Sequence, residues 1–200
     1  MRGGALREKL RAETAAIHAR LHRHPGLSAA ASGAIDRNSY RALLIRLYGF
    51  HRAFEAHIGA FTPLEEGSTR SALLASDLEA LGVASDEREA IPLCVALAPI
   101  FSSAEALGAL YVVEGSTLGG AHIARALQSA STPPGGAKGY RFFSNDGVSR
   151  PAWKELLARL EAIRDPREER AAIAAAVSTF RAFEDWMKDW ALAMTASLAS

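Results

Sequence analysis

Apolar residues recur at helical spacing along nearly the whole chain. Leu6, Leu10, Thr14, Ile17 and Leu21 form one stripe over residues 5–22, the three-and-four spacing that turns one face of a helix toward a core. The same periodicity predicts helices over 38–60, 69–82, 86–95, 103–129, 151–163 and 167–198. Asp36-Arg-Asn-Ser39 supplies a polar start for the helix over 38–60, and Ser149-Arg-Pro151 opens that over 151–163 with proline in its first turn. No valine-rich alternating run competes, so the fold class is all-α, a single-domain multi-helix bundle over residues 1–200. Two segments read as loops: the small, flexible stretch from His24-Pro-Gly to Gly33, and the breaker Ser131-Thr-Pro-Pro-Gly-Gly136. The second is too short to separate two domains, because the stretch beyond it lacks an evident core of its own.

One predicted helix breaks its own rule. The run Tyr111-Val-Val-Glu-Gly-Ser-Thr-Leu-Gly-Gly-Ala-His-Ile-Ala124 carries Gly115, Gly119 and Gly120, each costing about 1 kcal/mol relative to alanine inside a helix. On the helical wheel Gly115, Ser116, Gly119 and Gly120 share one face, while Leu107, Tyr111, Glu114 and Leu118 occupy the other. A strip with almost no side chains lets a flat, large group lie against the backbone. Close packing of two helices uses the same small residues, and both readings stand at this point.

His18 sits on the first helix about 80° from the centre of the buried stripe, on the shoulder between core and solvent. Arg11 projects within about 20° of the same direction, roughly 10 Å back along the axis. An imidazole with a cation two turns away suits a ligand with a metal at its centre and acids at its rim. A histidine on such a shoulder is equally an ordinary structural residue.

Composition narrows the classes. With 49% hydrophobic and 22% charged residues, the chain reads as a globular soluble protein, and 200 residues suffice for one core. A net charge of +1 gives no reason to expect nucleic acid as a partner. The single cysteine, Cys94, excludes internal disulfides, fits a reducing compartment and lies in an apolar run as a buried thiol rather than a nucleophile. No apolar stretch approaches the ~20 residues needed to span a bilayer, and the N-terminus lacks a signal-peptide core. A cytoplasmic location without membrane attachment is the expectation.

Leu10-Arg-x-x-Thr14-x-x-x-His18 followed much later by Glu114-Gly-Ser-Thr-Leu-Gly-Gly120 resembles the heme oxygenases, in wording close to the bacterial branch that supplies bilin to bacterial phytochromes. The likeness continues through Tyr40-x-x-Leu43-Leu44-x-x-Leu47-Tyr48, Glu55, Asp77-Leu78, Gly139-Tyr-Arg-Phe-Phe143 and Trp153-Lys154, in order along nearly the whole chain.

The resemblance implies an all-helical fold with heme held between the first helix and the glycine helix. His18 then corresponds to the iron ligand, and the backbone at Gly115, Gly119 and Gly120 presses over the ring, steering bound O2 and opening for product. Ser116 stands where mammalian members carry an aspartate that organises distal water, which removes any carboxylate-based relay. His51 stands where a tyrosine is expected in that network, either substituting as a donor or serving the structure alone. His22 replaces a glutamate that usually accepts a hydrogen bond from the iron ligand. A weaker acceptor, a water bridge and an idle exposed histidine are its three readings. By the same resemblance Arg11 and Lys154 match basic residues that hold the heme propionates, with Arg159 one position out of register. Phe143, Trp153 and Phe180 are candidates for the apolar walls, for which core packing is an equal explanation. Should His18 not be the ligand, His122 beside the glycine strip is next in line.

The function so implied is oxidative opening of heme to biliverdin, with release of CO and ferrous iron. It requires O2 and electrons from a separate ferredoxin or reductase, because the chain carries no flavin or nicotinamide fingerprint. A bacteriophytochrome receiving the biliverdin is an implied partner. The alternative of another class is a heme-binding or storage protein that keeps the pocket without turnover. A di-iron enzyme of related fold would need several inward glutamates and a Glu-x-x-His pattern, absent around Glu55 and Glu114, and a thiaminase-like site would need partners for Cys94.

Overall fold

The structure is a computed structural model describing residues 4–61, 69–144 and 150–198. Its helices are α1 (Ala5–His22), α2 (Pro25–Ser32), α3 (Arg37–Ile58), α4 (Arg70–Ala80), α5 (Ser85–Glu89), α6 (Ser103–Gln128), α7 (Arg141–Ser144), α8 (Arg150–Ala162) and α9 (Pro166–Leu198). No strand occurs among the described residues, as the absence of alternating runs predicts. The predicted polar start at Ser149 and the side chain of Leu118 lie outside the described residues.

Several starts are set by side chains. Asp36 accepts hydrogen bonds from the amides of Asn38 and Ser39 at 2.8 and 3.0 Å, capping α3. Ser102 and Glu105 form a reciprocal capping box at the head of α6, each 3.2 Å from the other's backbone amide. The stripe predicted for α1 is the one buried: Leu6, Leu10, Thr14, Ile17 and Leu21.

Two predicted segments are corrected. The stretch after His24 is not a loop but α2. Pro25 opens it, the His24 ring accepts from the Leu27 amide, and Gly33 closes it at φ 72°. The proline and glycines that suggest a flexible loop instead bound a helix: proline in a first turn and a left-handed glycine after the last are start and stop signals. Conversely, the helix expected over 86–95 stops at Glu89. Pro92 disfavours helical backbone in the residue before it, and Leu93 and Val95 stand exposed rather than turning inward. The Cys94 amide instead donates to the Gly49 carbonyl at 3.2 Å, tying this irregular segment to α3. Cys94 itself is buried, as its apolar surroundings suggested, and burial pushes its thiol pKa up.

The long helices α6 and α9 form the spine. They pack most extensively of any pair, α1 lies along α9, α8 touches both α6 and α1, and α3 pairs with α4. Gly108 makes the spine possible: a Cβ there would sit 1.9 Å from the Ala172 carbonyl oxygen, so only glycine lets the two backbones approach. Apolar side chains form three clusters, and Phe183 on α9 packs against all of them. Arg20 holds α1 to α9 through both oxygens of Glu184, at 2.6 and 2.9 Å, and Lys9 pairs with Glu169 further along.

The segment after the Pro-Pro-Gly-Gly breaker is ordered from within. Tyr40 donates its hydroxyl to the Gly139 carbonyl at 2.7 Å, and the Tyr140 hydroxyl accepts from the Gly135 amide at 2.9 Å. Asp77, fully buried on α4, accepts from the amides of Arg141 and Phe142 at 2.8 and 2.9 Å. Asp77→Ala strands these two amides, so it is expected to cost about 3 kcal/mol. At this chain length that lowers the thermal midpoint by roughly 6–12 °C. A melt followed by circular dichroism checks it, and a midpoint within two degrees of wild type refutes the capping role.

Candidate functional site

Four helices border the second apolar cluster and bring most of the predicted residues together. This cluster joins Leu6, Leu10, Ile17 and Leu21 of α1 to Leu107 and Val112 of α6, Leu156 and Leu160 of α8, and Ala172, Ala176 and Phe180 of α9. His18 stands exposed on the shoulder of α1, as its wheel position predicts. Its ring meets Phe180 edge-on, with centroids 6.1 Å apart. Partial burial and the neighbouring His22 lower the His18 pKa, so the ring is neutral and its lone pair available near neutral pH.

His22 is the nearest polar neighbour of His18. Their Nε2 atoms are 3.2 Å apart, and the rings meet edge-on with centroids 4.4 Å apart. The contact is made at His18 Nε2, and both rings are exposed. The other histidines divide by their surroundings. His24 is used by the fold: its Nε2 meets the Met187 carbonyl oxygen at 3.1 Å and its ring stacks on Trp190. His57 Nδ1 lies 2.8 Å from the Ala53 carbonyl oxygen. His51 is 4% exposed, leaving His18, His22 and His122 as the exposed ones.

The glycine strip is not uniform. A Cβ at Gly115 would meet the Trp153 ring at 3.4 Å, whereas one at Gly119 would meet no described residue within 4 Å. Gly119 is exposed and Gly120 buried. The open backbone is thus centred on Gly119. Close backbone packing on α6 is made at Gly108, which the motif does not include, while Gly115 packs against Trp153 of α8. Tyr111 stacks on Trp153 at 5.7 Å between centroids, so one indole covers both Tyr111 and Gly115. Assigning them to opposite faces is corrected, since residues four apart lie on the same face. Ser116 donates its hydroxyl to the Val113 carbonyl at 2.7 Å. What remains for a ligand or water is its acceptor capacity.

Cations gather at one end of this region. Arg7 and Arg11 on α1 lie close enough to Tyr111 of α6 to oppose the upward push of burial on its phenol. Lys154 is exposed beside Trp153 on α8, and Arg159 is exposed on the same helix. Phe143 lies away from this region, in the first cluster with Tyr40 at 6.4 Å and Phe142 at 5.0 Å between centroids. Of the two explanations for it, core packing is the one its contacts serve.

His51, expected at the distal network, is buried beside Arg70, a charge that the sequence reading missed. His51 on α3 stands edge-on to Phe142 and Phe50, at 5.2 and 5.5 Å, and its Nδ1 has no hydrogen-bond partner among the described residues. Burial drives its pKa well down, with the Arg70 charge adding to the shift, so the ring is neutral. The Arg70 guanidinium lies over the Phe142 ring at 4.1 Å. Burial depresses its pKa to about 10 against the attraction of Glu114 and Glu55. Glu114, one residue before Gly115, has its pKa raised by burial, opposed by Arg70 and reinforced by Glu55. Glu55 in turn accepts from the Ser71 amide at 2.8 Å and from its hydroxyl. A signal existed: Arg70 and Asp77 sit on the same face of α4 as Leu73, Leu74 and Leu78, two charges where the stripe calls for apolar residues.

Heme fits this region. An exposed neutral imidazole, an open stretch of backbone at Gly119, an aromatic wall at Phe180 and cations at the rim are the donor set it needs. Among the described residues no group of three or more His, Cys, Asp or Glu side chains could hold a bare metal ion, and no helix is long and apolar enough to cross a membrane.

Comparison with known proteins agrees. A family model described as heme oxygenase matches residues 4–189. The chain is 32% identical over 163 residues to a protein named heme oxygenase from Xanthomonas campestris pv. campestris (strain 8004), covering 78% of this chain and 93% of the relative. Its fold is similar to that of heme oxygenase-1 from the cyanobacterium Synechocystis sp. PCC6803, solved in complex with heme, with a TM-score of 0.71, 17% identity and 97% of each chain covered. The chain belongs to the heme oxygenase family.

Proposed function

We propose that this protein opens the heme macrocycle oxidatively to biliverdin, releasing CO and ferrous iron, with O2 as co-substrate and electrons from an external ferredoxin or reductase. The observation that carries the reading is the open, exposed backbone at Gly119 on α6, in a chain whose α1 presents an exposed, neutral His18. Bound heme supplies the iron at which O2 is activated. His18 would hold that iron from a rigid helix, which fixes the direction of the imidazole. Gly115, Gly119 and Gly120 would let the α6 backbone approach the ring, with backbone amides and ordered water as the polar groups on that side. Ser116 accepts from such water, since its own proton is committed to Val113. His51, neutral and buried, offers one ring nitrogen toward the same network, with the Arg70 charge behind it. Arg11 and Lys154 seat the propionates. The whole chain acts as one unit, in the cytoplasm, and its biliverdin is available as chromophore for a bacteriophytochrome.

Aerobic incubation with heme and ascorbate, followed by product chromatography, tests the function. Conversion to bilin is the expected result. A ligated Soret band that persists without bilin would make the protein a heme-binding or storage member of the fold.

The rim cations should govern how heme is seated more than whether it reacts. Attraction between exposed charges is screened, so Lys154→Ala or Arg11→Ala should cost about fivefold or less in heme affinity. A small in-plane rotation brings a different meso carbon under the oxygen, so the ratio of biliverdin isomers should change. Identical isomer ratios in both variants at full heme occupancy would remove these two residues from the site.

A further inference from the structure

The contact between His18 and His22 has a geometry of its own. The two residues are four apart on α1, one turn along the same face. Both are exposed, and their Nε2 atoms converge to 3.2 Å. With no ion between them, one Nε2 must carry a proton and donate while the other accepts, so the two rings are held in unlike tautomers. Two nitrogens bound to one tetrahedral ion at about 2.0–2.1 Å stand about 3.3–3.4 Å apart. The observed separation therefore nearly equals one edge of such a coordination shell, reached without moving the helix. We propose that His18 and His22 form a two-imidazole chelate for a first-row divalent cation of the Zn2+, Ni2+ or Cu2+ type on the heme-free protein.

The ligand chemistry restricts the ion. Imidazole nitrogen suits Cu2+, Ni2+ and Zn2+ and offers nothing to Mg2+ or Ca2+, which take oxygen. Among the described residues no third His, Cys, Asp or Glu completes the set, so water fills the remaining positions and the chelate effect of the pair carries the affinity. The backbone under both rings is helical and tied to α9 by the Arg20–Glu184 pair, so little ordering remains to be done on binding. The position where many family members carry glutamate has here become the second half of a chelate. Resting on the reading that His18 holds heme iron, the chelate has a consequence. The same Nε2 lone pair serves either the divalent ion or the heme, so the two exclude one another.

The test uses the untagged full-length protein, free of heme. Zn2+ titrated against a chromophoric chelator should bind at one equivalent, with His22→Ala and His18→Ala each weakening it about 100-fold through loss of chelation. Electron paramagnetic resonance of the Cu2+ form should show hyperfine coupling to two imidazole nitrogens, falling to one in either variant. Circular dichroism melts verify that these exposed positions leave the fold intact. Preloading with Ni2+ should slow heme uptake by wild type, with a chelator restoring the rate, and should not slow uptake by His22→Ala. Zn2+ affinity that changes less than threefold in His22→Ala, or a Cu2+ spectrum with one nitrogen in wild type, overturns the chelate. A two-nitrogen spectrum with heme uptake indifferent to Ni2+ upholds the chelate and overturns His18 as the heme ligand.

Discussion

Heme added to the His18→Ala protein should lose the native ferric spectrum, and turnover with it. Disrupting only the hydrogen-bonding partner of a ligand typically costs about 10–100-fold, so loss of the ligand itself should exceed that. The contact with His22 sharpens the expected outcome. Its Nε2 lies 3.2 Å from that of His18, which makes His22, ahead of His122, the first histidine to take over the iron in the variant. Substitute ligation by His22 places the iron one turn further along α1, under different backbone of α6, and should give an altered spectrum with little bilin. His18→Ala/His22→Ala should lose histidine ligation, and exogenous imidazole should restore part of it. A native spectrum in the single variant, abolished only when His22 is also replaced, would transfer the ligand role to His22.

Gly119→Leu should expel or displace heme while leaving the apo-protein as stable as wild type. No described residue lies within 4 Å of a Cβ at this position, so on the proposed reading the leucine fills space that heme would occupy. Overpacking of that kind costs about 1–3 kcal/mol, roughly 5- to 150-fold in heme affinity. Gly108 provides the contrast on the same helix. A Cβ there meets the backbone of α9 at 1.9 Å, so Gly108→Ala should lower the melting temperature with or without heme. Heme titrations and melts on both variants separate the two roles. Turnover and affinity unchanged in Gly119→Leu would mean that the open backbone at that position has no part in the site.

The two loops and the two misread segments illustrate how local signals divide. Pro-Pro-Gly-Gly after Ser131 was a breaker on sequence and is one in the fold, because its neighbours offer no helical periodicity to overrule it. Pro25-Gly26 looked the same. There, however, Pro25 sits where a first turn needs no amide proton, and Gly26 is buried against Trp190, where a Cβ would come within 1.7 Å of two ring carbons. That contact is 164 residues away in sequence, so no local window contains it. The helix expected over 86–95 failed for the opposite reason: apolar spacing was satisfied, yet Pro92 forbade the backbone and Gly49 on another helix supplied the hydrogen bond instead.

The helical class, the buried stripe of α1, the shoulder position of His18 and the family were all determined by sequence alone. Each rests on spacing along one helix or on motif wording, and a helix converts such spacing into a face without help from the rest of the chain. Which glycine is bare and which is packed was decided by tertiary structure, because Gly108, Gly115 and Gly119 differ only in what other helices bring against them: Ala172, Trp153 and no described residue. The burial of Arg70 beside His51, and Phe143 in the core with Tyr40, were decided likewise, by pairings of α3, α4 and α7 that no single helix encodes. The His18–His22 contact lies between the two. Their spacing of four was visible in the sequence and put them on one face, but the rotamers that turn both Nε2 atoms toward each other were set by how α1 packs on α9.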